Sequence, residues 1–110
     1  MKTNSKTDNT QLNYLYYIKD AMINRYISNM VVKSHSENCL DIIVEVSHKD
    51  KINPIINMIE ANIYTKKELR ANEVCRVHNS INVTTSDNKT IRIFAYNKMD
   101  FNKIALGKLK

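Results

Sequence analysis

The stretch "SINVTTSDNKTIRIFAY", residues 80–96, limits the possible folds more than any other part of the chain. Two runs alternate apolar and polar side chains, as half-buried strands do. Between them lie Ser86, Asp87 and Asn88. A three-residue loop with Asn88 in the left-handed region sets Val83 against Ile91 and Ile81 against Ile93. All four then share one face. A loop one residue shorter or longer would put Ile81 and Val83 opposite Phe94 and Arg92, so the apolar pattern selects the three-residue loop. Arg92, Phe94 and Tyr96 fall on the other face, flanked by Asn82 and Thr84.

A second hairpin is expected upstream. "MVVKSH", 30–35, and "CLDIIVEVS", 39–47, read as strands joined through Ser36, Glu37 and Asn38. Leu40, Ile42, Val44 and Val46 point one way, and Asp41, Ile43 and Glu45 point to a wet face. "QLNYLYYIKDAMINRYISNM", 11–30, has helical periodicity, with Leu12, Leu15, Tyr16, Ile18, Met22, Ile23, Tyr26 and Ile27 on one broad arc. Tyr14 and Tyr17 fall on the polar side with Arg25. "DKINPIINMIEANIY", 50–64, predicts a second helix through Ile52, Ile55, Ile56, Ile59 and Ile63. Asp50 or Asn53 can cap it, and Pro54 suits a first helical turn. "TKKE", 65–68, predicts a short helical piece over 66–72. "EVCRV", 73–77, is a candidate strand. Asp100 is expected to cap a last short helix, 101–106, closed by Gly107.

The expected architecture is therefore α+β: a four-stranded antiparallel sheet built from two hairpins, with two main helices on one face. The order is helix, hairpin, helix, hairpin, short helix. At 110 residues the chain holds one core. The reading divides it into a disordered tail, 1–10, a single α+β domain, 11–106, and a basic tail, 107–110. No apolar run approaches the roughly 18 residues of a membrane span, and "MKTNSKTDNT" has no apolar signal region. A location in the cytoplasm, inside a host cell, follows as an expectation. Cys39 and Cys75 sit in no metal or redox motif and read as reduced thiols. Asn, Ile and Lys supply 42 residues, a bias toward AT-rich codons that fits a phage or viral source.

The net charge of +6 is uneven. Residues 1–88 carry 11 basic and 10 acidic side chains, while residues 89–110 carry six basic ones against Asp100 alone. A local basic surplus attracts polyanions. Three readings of function follow. In the first, Lys89, Arg92, Lys98, Lys103, Lys108 and Lys110 meet nucleic-acid phosphate and Tyr96 stacks on a base, with no catalysis, metal or cofactor. In the second, the chain docks on a host protein through Tyr14, Tyr17 and Arg25, because Tyr and Arg dominate interface hot spots. The third is a metal-dependent nuclease using Asp41 and Glu45 on one strand face. His35, His48 and His78 are isolated, and no nucleophile elbow or glycine-rich phosphate loop is present. An unpaired sheet edge leaves a homodimer open.

"IRIFAYNKMD", 91–100, resembles a segment of the C-terminal double-wing DNA-binding domain of the middle-promoter transcription activators of T4-type phages. There, a strand reading Met-Arg-Ile-Phe-Gly-Tyr runs into a helix that begins with methionine and an acidic residue. Arg92, Ile93, Phe94, Tyr96, Met99 and Asp100 stand at similar positions, and "ENCLDIIVEVSHKDKI", 37–52, is similar in pattern to a second part of that domain. The resemblance implies an antiparallel wing surface resting on nucleic acid, DNA rather than RNA, with Arg92 and nearby lysines at phosphates or bases.

Overall fold

The computed structural model describes residues 9–21 and 27–105. Eight elements build it: helix α1 (Thr10–Ala21), strands β1 (Ile27–Ser36) and β2 (Cys39–Val46), helix α2 (Ile52–Thr65), strands β3 (Ala71–Val77), β4 (Ser80–Thr85) and β5 (Thr90–Tyr96), and helix α3 (Lys98–Ala105). The α+β class is as expected, but the sheet differs. It has five strands in the order β1-β2-β5-β4-β3. It is mixed, because β5 inserts beside β2 in parallel, while β1–β2, β3–β4 and β4–β5 are antiparallel. The strand count rises because 71–77 pairs fully with β4, in register Val74 with Val83 and Arg76 with Ile81.

The β4–β5 hairpin has the register read from the sequence, Val83 opposite Ile91 and Ile81 opposite Ile93. Asn88 has φ 65°, a conformation that asparagine tolerates better than most residues. Asp87 locks this turn to the start of α1. It accepts a hydrogen bond from the Thr10 hydroxyl at 2.7 Å and from the Thr85 hydroxyl at 2.6 Å. These bonds, with the Thr85 one foremost, hold its carboxyl below the usual aspartate range.

The main core lies between the sheet and the layer of α1 and α2. Leu40, Ile42, Val44, Val46, Ile81, Val83, Ile91, Ile93 and Ala95 meet Ile55, Ile56, Ile59 and Ile63 of α2. Each fully buried isoleucine contributes about 2 kcal/mol of hydrophobic stabilisation. From α1 the inward residues are Thr10, Asn13, Tyr14, Tyr17 and Ile18, at the i, i+3, i+4, i+7, i+8 spacing of one helical face.

Several expectations need correction. The first helix stops at Ala21, and Ile27 already pairs with Val46, so β1 takes residues assigned to a helix running to 30. With the helix shortened, its inward face rotates. Tyr14 and Tyr17 are in the core and Tyr16 is 48% exposed. Helix α2 begins at Ile52 after a single 3-10 turn, Lys49–Lys51, and neither Asp50 nor Asn53 supplies a side-chain cap. Pro54 is still in the first turn, where no carbonyl awaits its missing N–H. The "TKKE" segment makes only the 3-10 turn Lys67–Leu69, ended by Arg70 at φ 51°, before β3 starts. For α3, the cap is Asn97, not Asp100: the Asp100 N–H donates to Asn97 Oδ1 at 2.9 Å.

The far side of β2 is not wet. Asp41 is 7% and Ile43 3% exposed, because α3 crosses back over β2 and β5. Phe101 of α3 is buried. At the end of the crossing, Lys33 Nζ of β1 donates to the Ile104 carbonyl at 3.1 Å. No described helix is long and apolar enough to cross a membrane.

Candidate nucleic-acid interface

The outer sheet face and α3 together hold most of the described residues to which the sequence assigned phosphate contact. Arg92 lies beside Asp41 across the parallel β2–β5 pair. It donates from Nε to Asp41 Oδ1 at 2.6 Å and from Nη2 to Asp41 Oδ2 at 2.9 Å. This bidentate fork is among the stronger charge-assisted arrangements. The Asp41 bond is also the chief reason the guanidinium is harder to deprotonate than usual. His35 Nε2 lies 2.7 Å from Asp41 Oδ2. The Asp41 carboxylate thus offsets the Arg92 charge from within, rather than leaving it free as the sequence implied. Among the described residues, the hydrogen bonds of Arg92 run from Nε and Nη2.

The same geometry bears on the Asp41–Glu45 nuclease reading. Both Asp41 oxygens are engaged by Arg92 and His35. Among the described residues no group of three His, Cys, Asp or Glu side chains is placed to hold a metal ion.

Phe94 and Tyr96 follow Arg92 on the outer face at strand spacing. Their rings are stacked, with centroids 6.3 Å apart and planes 10° from parallel. Both are half-buried. The Tyr96 phenol is pushed up by burial, and secondarily by the negative charges of Asp100 and Asp41. Asn82 and Thr84 of β4 flank this face and are exposed, as expected.

Helix α3 supplies two exposed cations, Lys98 and Lys103. At about 100° per residue, Lys98, Met99, Asn102 and Lys103 occupy one arc, opposite Phe101 and Ile104. All four are exposed, and Met99 is 63% accessible. Lys103, in the last turn, also complements the helix dipole. Lys89 is half-buried and donates to Asn38 Oδ1 at 2.8 Å. Lys108, Lys110 and Arg25 lie outside the described residues.

Two of the alternative partner anchors are not on the surface. Tyr14 is 0% and Tyr17 8% exposed. The Tyr17 hydroxyl accepts a hydrogen bond from Asn62 Nδ2 at 3.1 Å, and burial raises its pKa against that opposing bond. Sequence reasoning also missed His35, Lys33, Met99 and Asn102 as parts of the outer surface. Met99 and Asn102 were legible from helical spacing, once α3 is started at Lys98. His35 is two residues from Lys33, the cross-strand partner of Asp41, so strand alternation puts it on the same face.

No family model, curated protein or solved structure matches the chain.

Proposed function

We propose that the chain is a small, non-catalytic nucleic-acid-binding protein, with double-stranded DNA the preferred form. The observation that carries this reading is the exposed arc of α3. It places Lys98 and Lys103 around Met99 and Asn102, within the segment 89–110 that holds nearly all of the net positive charge. An eight-residue helix is about 12 Å long, close to the roughly 12 Å width of the DNA major groove. In this arrangement α3 approaches the groove with its exposed arc, and the two lysines meet phosphates at its margins. Arg92 acts as a braced contact. Asp41 fixes the plane of the guanidinium, and Nη1 faces a phosphate or base edge at low entropic cost. Lys89, Lys108 and Lys110 add charge, and Tyr96 offers part of its ring to a sugar or base. A phage or viral origin and a role inside a host cell remain part of this proposal.

Fluorescence anisotropy with a mixed-sequence duplex, a single strand and an RNA of the same sequence tests it. Between about 50 and 200 mM salt, log Kobs should fall linearly with log salt, at about 0.9 per phosphate neutralised. The Lys98→Ala/Lys103→Ala variant should bind more weakly, with a slope shallower by about 1.8. Absence of binding to all three probes at the lowest salt, or an unchanged slope in the variant, would overturn the reading.

A further inference from the structure

On the side of the molecule away from α3, the helices α1 and α2 leave a cavity of about 290 Å³. Its α1 wall is set by helical spacing. Tyr16, Tyr17 and Asp20 line it at i, i+1 and i+4, and Met58 and Asn62 of α2 face them at i and i+4. Lys66 and Glu68, just past the end of α2, close one end.

The polar side chains here include two carboxylates, Asp20 and Glu68. Asn62 spends an N–H on the Tyr17 hydroxyl, which leaves its Oδ1 to accept. The Asp20 and Glu68 carboxylates pair with no cation among the described residues. The Tyr17 ring presents a negative face, and Lys66 Nζ already lies 5.5 Å from its centroid. The ring therefore takes a cation from its own chain. Counting Asp20, Glu68 and Lys66, the cavity has a formal charge of −1 on a chain of +6.

We infer that this groove between α1 and α2 binds an organic cation, a guanidinium or primary ammonium on an apolar stem. The carboxylates would receive the charged head, and Tyr16, Tyr17 and Met58 would cover the stem and add cation–π attraction. The cavity is at the small end of ligand pockets, a size suited to a single arginine-like group. Lys66 occupies part of the same field and opposes the incoming charge. This gives the site a signature that a merely structural groove lacks: removing Lys66 improves binding, while removing either acid weakens it.

The test is an NMR titration of the full chain with agmatine, read at the Met58 methyl and the Tyr16 and Tyr17 rings. Butylurea serves as a neutral probe of similar shape, and a blocked Gly-Arg-Gly peptide as a second cation. Saturable shifts with agmatine but not butylurea are expected. Asp20→Asn and Glu68→Gln should each weaken binding about three- to fivefold, and Lys66→Gln should tighten it by a similar factor. Binding of agmatine alone would assign the site to a free small cation. Binding of both cations would assign it to a side chain presented by a partner. Equal responses to agmatine and butylurea, no saturable shift, or affinities indifferent to all three substitutions would overturn the inference. The wild-type comparison requires no variant to fold, and none of these readouts depends on nucleic-acid binding.

Discussion

Replacing Arg92 with methionine separates the internal role of this side chain from its external one. The substitution keeps the apolar stem and removes the fork that satisfies Asp41. Asp41 is 7% exposed, and both hydrogen bonds to it are short, at 2.6 and 2.9 Å. Breaking a fully buried pair from one side costs about 3–5 kcal/mol. Here the Arg92 side chain is 38% exposed, and His35 remains as a second partner of Asp41. Solvent screening therefore brings the expected loss down to about 1–3 kcal/mol. The double variant Arg92→Met/Asp41→Leu leaves no orphaned charge and should lose no more than about 1 kcal/mol, less than Arg92→Met alone. Urea denaturation of wild type, both single variants and the double variant, followed by circular dichroism, gives the four free energies. A double-variant loss equal to the sum of the single losses would mean that the two side chains do not interact, and the braced-arginine account would be wrong.

Four further outcomes follow from the core and the turns. Tyr14 is fully buried, and its hydroxyl has no hydrogen-bond partner among the described residues. Tyr14→Phe should therefore leave stability unchanged or raise it by up to about 1 kcal/mol. Tyr17→Phe, which loses the bond from Asn62, should cost about 1 kcal/mol in the same denaturation assay. Asn88→Ala should cost about 1 kcal/mol, because alanine resists φ 65°, whereas Asn88→Gly should not destabilise, as thermal melts can show. Asp87 has a folded pKa below its unfolded value. It thus adds stability above pH about 3.9, and that stability is lost as the pH falls through the lower, folded value. Asp87→Asn should lower stability at neutral pH and flatten the acid limb of the stability curve.

Local pattern made much of this fold legible. The β4–β5 register followed from four apolar side chains and one asparagine turn. Helix α2 followed from isoleucines at helical spacing. The position of β5 between β2 and β4 did not, because a parallel pairing of strands more than forty residues apart leaves no trace in either strand's periodicity. One clue was present: Ile42, Ile43 and Val44 break the alternation of β2, and consecutive apolar residues mark a strand covered on both sides. The inward face of α1 is hidden in the sequence for a different reason. Apolar residues from Met22 to Ile27 continue the chain's hydrophobicity, and including them in the helix shifted its apparent apolar arc away from Tyr14 and Tyr17. At the candidate interface, the sequence showed the charges but not their pairing. Nothing near Arg92 in sequence reveals that Asp41, 51 residues earlier, meets it across adjacent strands.

The central claim is that nucleic acid meets the α3 side of the molecule. Amide chemical-shift mapping of the full chain against a short DNA duplex at low salt tests it most directly. The account predicts the largest perturbations at Lys98, Met99, Asn102 and Lys103, with smaller ones at Arg92 and Tyr96, fading together as salt is raised. Perturbations concentrated on α1 and α2, or none at any salt concentration, would contradict it.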